Sequence, residues 1–191
     1  RDYAVTGVQT CALPIWLEGM MVPLEWGVIP WPLSARRVFA IIYDRPAGGA
    51  AIPSIDVPFT PIQEDDLIHN LMPPLVASLK EFFPGGATHR AIRATNLYFR
   101  DVARRLLTFG DCCSTPPALG QPILYETIES ALASPWGRGN GTPSDDLYAF
   151  GVTLLLLLLG HNPAGHLSDE QLLDEKINRG SRSEEHTSEL Q

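Results

Sequence analysis

Residues 149–159, ending in the unbroken leucine run 154–159, limit the choice of fold more than any other part of the chain. The stretch is too short to cross a bilayer, because a spanning helix needs about 20 apolar residues. A helix that is apolar on every side belongs inside a protein. The rest of the chain must therefore supply elements that surround a buried central helix. Its limits are written on either side. Thr142, Pro143 and Asp145 open it, and Gly160 closes it.

The neighbouring segments read as a mixture of helices and short strands. Arg37–Tyr43 is apolar, β-branched and aromatic, and Asp44-Arg45-Pro46-Ala47-Gly48-Gly49 cuts it off. Residues 23–31 suit a shorter, irregular strand, and residues 46–61 suit a loop. Thr60-Pro61-Ile62-Gln63 has the form of a capping box with proline at the first helical position. Apolar residues then recur at helical spacing from Leu67 to Phe83, with Pro73 and Pro74 placed to kink or divide the helix. Leu97–Phe99 and residues 106–109 suit two short strands around a polar turn. Residues 125–133 suit a short helix and residues 136–143 a Gly-rich loop. Ser168 can cap a last helix, with Gly180 at its C-terminus.

Charge and cysteine content exclude several classes. The chain carries a net charge of −8. Such a balance opposes general affinity for nucleic acid or for an anionic membrane surface. The adjacent pair Cys112-Cys113 matches neither a zinc site nor a disulfide framework, which fits a reducing cytoplasm.

The chemistry is concentrated in His89-Arg90-Ala91-Ile92-Arg93-Ala94-Thr95-Asn96. This octapeptide resembles the catalytic loop of a protein kinase, His-Arg-Asp-x-x-x-x-Asn, with Ala91 where the aspartate belongs. The order of elements over residues 36–180 is similar to the larger lobe of that family: helix, loop, two short strands, loop, short helix, buried helix. The resemblance implies an α+β, protein-kinase-like fold. Residues 16–49 would be a small-lobe remnant and hinge, and residues 50–181 a truncated, mostly helical large lobe.

The resemblance also assigns roles. His89 becomes a packing residue, and Arg90 the residue able to bind a phosphate on the activation loop. Arg93 stands where a lysine contacts the transferring phosphate, keeping the charge but not the shape. Asn96 matches the magnesium-binding asparagine. For the Asp-Phe-Gly element two registers compete, Thr108-Phe109-Gly110 and Asp111-Cys112-Cys113. Asp111 is preferred because it follows a buried-looking strand. Tyr125-Glu126-Thr127-Ile128-Glu129 resembles the segment ending in Ala-Pro-Glu, with Glu129 as its acid. Asp146 falls where the family has a buried aspartate bonded to the catalytic-loop backbone.

There is no Gly-x-Gly-x-x-Gly stretch, and the only lysines are Lys80 and Lys176, neither placed to hold nucleotide phosphates. Residues 1–15 and 182–191 resemble translated sequencing adapters and are not expected to be native. The first stretch carries Arg1 and Asp2, and the second carries Arg182 against three Glu, so the remainder holds −6 of the −8. Two lysines against twelve arginines suit a bacterial-type member of the family. The resemblance thus implies a cytoplasmic pseudokinase fragment that regulates or scaffolds a protein partner, with ATP and magnesium binding in its parent. The alternatives are a fragment of an active Ser/Thr kinase or of a related small-molecule phosphotransferase.

Overall fold

Alternation of β-branched and aromatic side chains makes the first paired strands. β1 (Pro23–Pro30) and β2 (Arg37–Tyr43) form an antiparallel hairpin in which Pro30 faces Arg37 and Val28 faces Phe39, with one irregularity between Pro23 and Glu25. Trp31 N–H donates to Arg36 O at 2.8 Å across the turn. The computed structural model describes residues 19–21, 23–33, 36–112, 114 and 116–188. Trp16, Cys113 and the adapter-like residues 1–15 lie outside the described residues, as do 189–191 at the other end.

A second sheet sits closer to the core. β3 (Gly49–Ala50), β4 (Leu97–Phe99) and β5 (Leu107–Phe109) are antiparallel in that order. β3 lies inside the segment expected to be a loop, and it straddles the boundary placed between residues 49 and 50. Its pairing to Tyr98 and Phe99 gives its backbone groups the partners a buried chain requires. Residues 19–21 run beside β5: Phe109 N–H donates to Gly19 O at 2.8 Å, and Met21 N–H to Phe109 O at 3.0 Å.

The first helical region departs from expectation at its start. Thr60 and Pro61 stay extended, and α1 (Glu64–Asp66) begins after Gln63, with no side-chain cap. The backbone of residues 59–62 is engaged elsewhere. Phe59 N–H donates to Gly160 O at 2.8 Å, and Ile62 N–H to Leu157 O at 2.9 Å. A π-helical turn, Leu67–Leu71, then leads into α2 (Met72–Phe82), whose first positions hold Pro73 and Pro74. The wider turn absorbs the two missing N–H groups without breaking the helix. Leu67, Leu71, Leu75 and Leu79 form one buried stripe.

α3 (Ile128–Leu132) is shorter than the segment that suggested it, and a 3-10 turn, Ile123–Tyr125, precedes it. α4 (Pro143–Leu159) has the expected ends. Thr142 is its N-cap, and Asp145 Oδ2 accepts from Thr142 N–H at 2.7 Å. Gly160 ends it at φ +71°, where an added Cβ would meet Phe59 O at 2.7 Å. α4 is not buried all round, however. Asp146, Ala149, Phe150, Thr153, Leu156 and Leu157 face the core, while Leu147, Leu155, Leu158 and Leu159 are exposed. α5 (Asp169–Ser188) packs on α3 and the Ile123–Tyr125 turn. α5 also runs through Gly180 instead of ending there.

The core joins α2, β4, β5 and α4 through Leu75, Ile92, Leu97, Leu107, Phe109, Phe150 and Leu156. The architecture is α+β, with helices against small antiparallel sheets. No helix among the described residues is long and apolar enough to cross a membrane.

Candidate functional site

Residues 89–96 connect α2 to β4 and pass over the N-terminus of α4. Two backbone donors there, the N–H groups of His89 and Arg90, point at one side chain. Asp146 Oδ2 accepts from His89 at 2.6 Å and Oδ1 accepts from Arg90 at 2.8 Å. Asp146 is 1% exposed. Burial pushes its carboxyl above the ordinary range, against the pull of the two N–H donors and of Arg90. Arg90 itself holds φ +56°, a left-handed conformation that is uncommon for a long side chain.

The loop also grips the core. The His89 ring packs on Phe109 with centroids 5.3 Å apart, and Phe109 packs edge-on to Phe150 at 5.8 Å. Ala91 N–H donates to His89 Nδ1 at 3.3 Å, so that nitrogen carries no proton in this arrangement.

Asn96 ties the two halves of the site together. Its Nδ2 donates to Ala91 O at 2.9 Å and to Asp111 O at 2.8 Å. Both amide protons are thereby committed, and Oδ1 is left as the acceptor. Gly110 makes the approach feasible, because a Cβ there would lie 2.1 Å from Asn96 Oδ1. Between the two competing registers, Thr108 and Phe109 are buried in β5 while Asp111 is exposed beyond it. The Asp111 carboxylate accepts from Tyr43 Oη at 2.6 Å, which brings the end of β2 to the same place. Ala91 contributes only a methyl group. Arg93 Nη1 reaches Gly120 O at 3.4 Å and Gln121 Oε1 at 3.3 Å.

Magnesium prefers oxygen ligands and commonly takes one or two from protein, with waters and substrate phosphates completing the shell. Asn96 Oδ1 and the Asp111 carboxylate have that chemistry. No group of three or more His, Cys, Asp or Glu side chains among the described residues could hold a metal ion.

Several residues around this loop were not singled out from the sequence. Glu126 is fully buried and Glu129, chosen as the structural acid, is exposed. Thr127 explains the difference: it is the N-cap of α3, so Glu126 precedes the helix and turns inward, while Glu129 sits in the solvated first turn. Glu126 Oε2 accepts from Arg90 Nη2 at 3.0 Å and from the Ser130 hydroxyl, and Arg138 Nη1 lies 3.5 Å from its Oε1. Arg90 is therefore held inside the protein rather than presented to an external phosphate.

Other bonds fasten residues 116–126 over the same loop. Arg138 Nη1 donates to Gln121 O at 2.8 Å, and Gln121 Nε2 to Ile92 O at 2.7 Å. Tyr125 Oη accepts from Ala94 N–H at 3.3 Å. Burial pushes the Tyr125 hydroxyl up to about 12 despite that donor and the nearby Arg93. Lys176 of α5 donates to the carbonyls of Ile123, Leu124 and Glu126 at 2.7, 3.2 and 2.7 Å. Burial lowers its amine to about 8, partly offset by the Glu126 charge. A distant lysine capping a 3-10 turn leaves no local pattern in sequence. Arg138 left one weak signal, as the lone cation in a Gly-rich loop.

Comparison with protein-family models finds no match to this chain, and comparison with curated proteins finds none either.

Proposed function

We propose that this chain is a protein-kinase-like domain acting as a pseudokinase, a regulator or scaffold for a protein partner with residual capacity for a nucleotide. The reading rests on one observation above the rest. A buried aspartate at the start of the central helix, Asp146, holds the backbone of His89 and Arg90, and the next residue is Ala91. The loop is thus held for chemistry at the position where a proton acceptor is missing. A positioned base typically contributes about 10²–10⁴-fold, and a methyl group supplies none of it.

The other residues divide between binding and support. Asn96 Oδ1 and the Asp111 carboxylate would hold a magnesium ion. When bound, the ion would neutralise charge on nucleotide phosphates. Arg93, beside Gly120 and Gln121, places a positive charge at the rim of the same loop. Tyr43 fixes the Asp111 carboxylate through its hydroxyl.

One observation favours a second reading, an active Ser/Thr kinase that uses a different base. Phosphoryl transfer depends mainly on positioning and electrostatics, and Asn96 and Asp111, to which the resemblance gives the magnesium, are both present. The test is magnesium-dependent phosphate transfer by the chain, measured against Asn96→Ala and Asp111→Ala. Background-level transfer in all three supports the pseudokinase. Turnover lost in both variants establishes the enzyme instead. A thermal shift with ATP that requires magnesium and disappears in Asp111→Ala supports the nucleotide site. No shift at any ATP concentration leaves a pure scaffold.

A further inference from the structure

We propose that the peptide unit joining Asn140 to Gly141 is a self-modification site, where the chain closes a succinimide on itself and opens it to aspartate or isoaspartate. The substrate is the chain's own carboxamide, and the only co-reactant is water. The inference is independent of the kinase-like reading.

The step balances without a cofactor. Gly141 N gives its proton to solvent and attacks Asn140 Cγ. The new N–Cγ bond replaces the Cγ–Nδ2 bond, and Nδ2 takes up a proton and leaves as ammonia. Water then cleaves the ring on either side of the nitrogen. One product is aspartate. The other is isoaspartate, whose main chain runs through Cγ and is one methylene longer.

The surroundings of this peptide unit promote the attack. Asn140 and Gly141 are exposed. The Gly141 N–H donates to no acceptor among the described residues, and the Asn140 carboxamide has no partner among them. Glycine has no Cβ to hinder the approach. The Thr88 hydroxyl donates to Asn140 O, the carbonyl conjugated with Gly141 N. That bond draws charge off the nitrogen once its proton is lost. A cation adjoins it as well. A Cβ added to Gly141 would lie 2.7 Å from Arg90 Nε and 2.8 Å from Cζ, so the guanidinium favours the nitrogen anion.

The chain holds five asparagines, and the other four lack these conditions. Asn70 sits in the π-helical turn, with Nδ2 donating to Asp66 at 2.7 Å. Asn96 is buried with both amide protons committed. Asn162 precedes Pro163, whose nitrogen has no proton to lose. Asn178 lies inside α5, where the next N–H belongs to the helical ladder. Conversion at Asn140 reaches the loop beside it. Gly141 packs on Arg90 and Thr142 caps α4, so the extra methylene of isoaspartate loosens residues 88–91, whereas aspartate changes charge alone.

The test is ageing of the full chain in neutral buffer, mapped by peptide mass spectrometry. Methyl transfer by a protein isoaspartyl methyltransferase reports isoaspartate. In the folded chain Asn140 should convert at least roughly tenfold faster than Asn70, Asn96 and Asn178, and Asn162 not at all. Asn140→Gln should remove the reaction. Thr88→Val should slow it roughly two- to tenfold, the range one hydrogen bond supplies. Thr88→Ser should keep the wild-type rate, and in urea wild type and both Thr88 variants should react alike. Asn140 converting no faster than the others overturns the proposal, as does folded Thr88→Val reacting at the wild-type rate.

Should Thr88→Val fail to fold, the wild type decides alone. Folding should slow Asn70, Asn96 and Asn178 and leave Asn140 at its rate in urea or above it. A folded rate at Asn140 below its rate in urea would overturn the proposal. The separated isoaspartate form should show faster amide exchange over residues 88–91 than Asn140→Asp, and equal exchange would overturn the coupling to that loop.

Discussion

Replacing Asp146 should be among the most damaging single changes in the chain, and its size follows from the bonds described. The carboxylate accepts two backbone N–H groups at 2.6 and 2.8 Å, and it is 1% exposed. Asp146→Ala leaves both donors buried and unsatisfied. Each orphaned group costs about 1–3 kcal/mol, and the loss of an acid near a helix N-terminus adds roughly 0.3–1 kcal/mol. Part of this is returned, because removing a buried charge relieves its desolvation. A net loss of about 3–5 kcal/mol follows, or roughly 6–20 °C in Tm for a chain of this size. Asp146→Asn keeps the shape but turns one acceptor into a donor facing an N–H, so it should fall about halfway. The assay is denaturant unfolding combined with amide hydrogen exchange read at His89 and Arg90. Both amides should exchange with the global unfolding in wild type and faster than it in either variant. If Asp146→Asn matches wild-type stability and both amides stay protected, Asp146 does not hold this loop.

Two further outcomes are expected. Gly110→Ala puts a Cβ 2.1 Å from Asn96 Oδ1, displacing the amide that bridges Ala91 and Asp111. A stability loss of about 1–3 kcal/mol should accompany weakened magnesium-dependent nucleotide shifts, whereas unchanged values in both would show that the bridge is dispensable. Lys176 has its amine lowered to about 8 from 10.5, so between those values the unfolded chain binds more protons than the folded one. Wild type should therefore gain stability relative to Lys176→Met as pH rises from about 8 to 10.5, and a flat or falling difference across that window would refute the burial argument.

Much of the scaffold was legible because it obeys local rules. The boundaries of α4 followed from Thr142, Pro143, Asp145 and Gly160, each of which works through nearest neighbours. The hairpin strand Arg37–Tyr43 and the helical irregularity ahead of Pro73 were readable for the same reason. The capping-box pattern at Thr60 misled because Phe59 and Ile62 give their N–H groups to the C-terminal end of α4, a partner remote in sequence. The all-round burial expected of α4 failed at Leu147, Leu155, Leu158 and Leu159, because which elements pack beside a helix is not encoded in its composition. At the site, Asp146 was singled out through the resemblance, by its distance from Gly151, and an acid at a helix start agrees with that place. Glu126 and Glu129 lie three residues apart in the same segment, and only the cap at Thr127 decides which one turns inward. Lys176 and Arg138 act on carbonyls and carboxylates brought in by the fold, so nothing near Lys176 marked it, and Arg138 showed only as the lone cation of a Gly-rich loop.

The positive φ of Arg90 has a kinetic consequence. A residue held at +56° sits roughly 1–3 kcal/mol above its preferred basin. The hydrogen bonds that its backbone N–H donates to Asp146 and its guanidinium donates to Glu126 keep it there. Once either is broken, relaxation of the backbone pulls on the other, so the two should fail together. Opening of residues 88–91 is then a single switch-like event rather than gradual fraying. A ligand or partner that favours the open loop would meet one discrete alternative shape, populated in proportion to one free-energy gap.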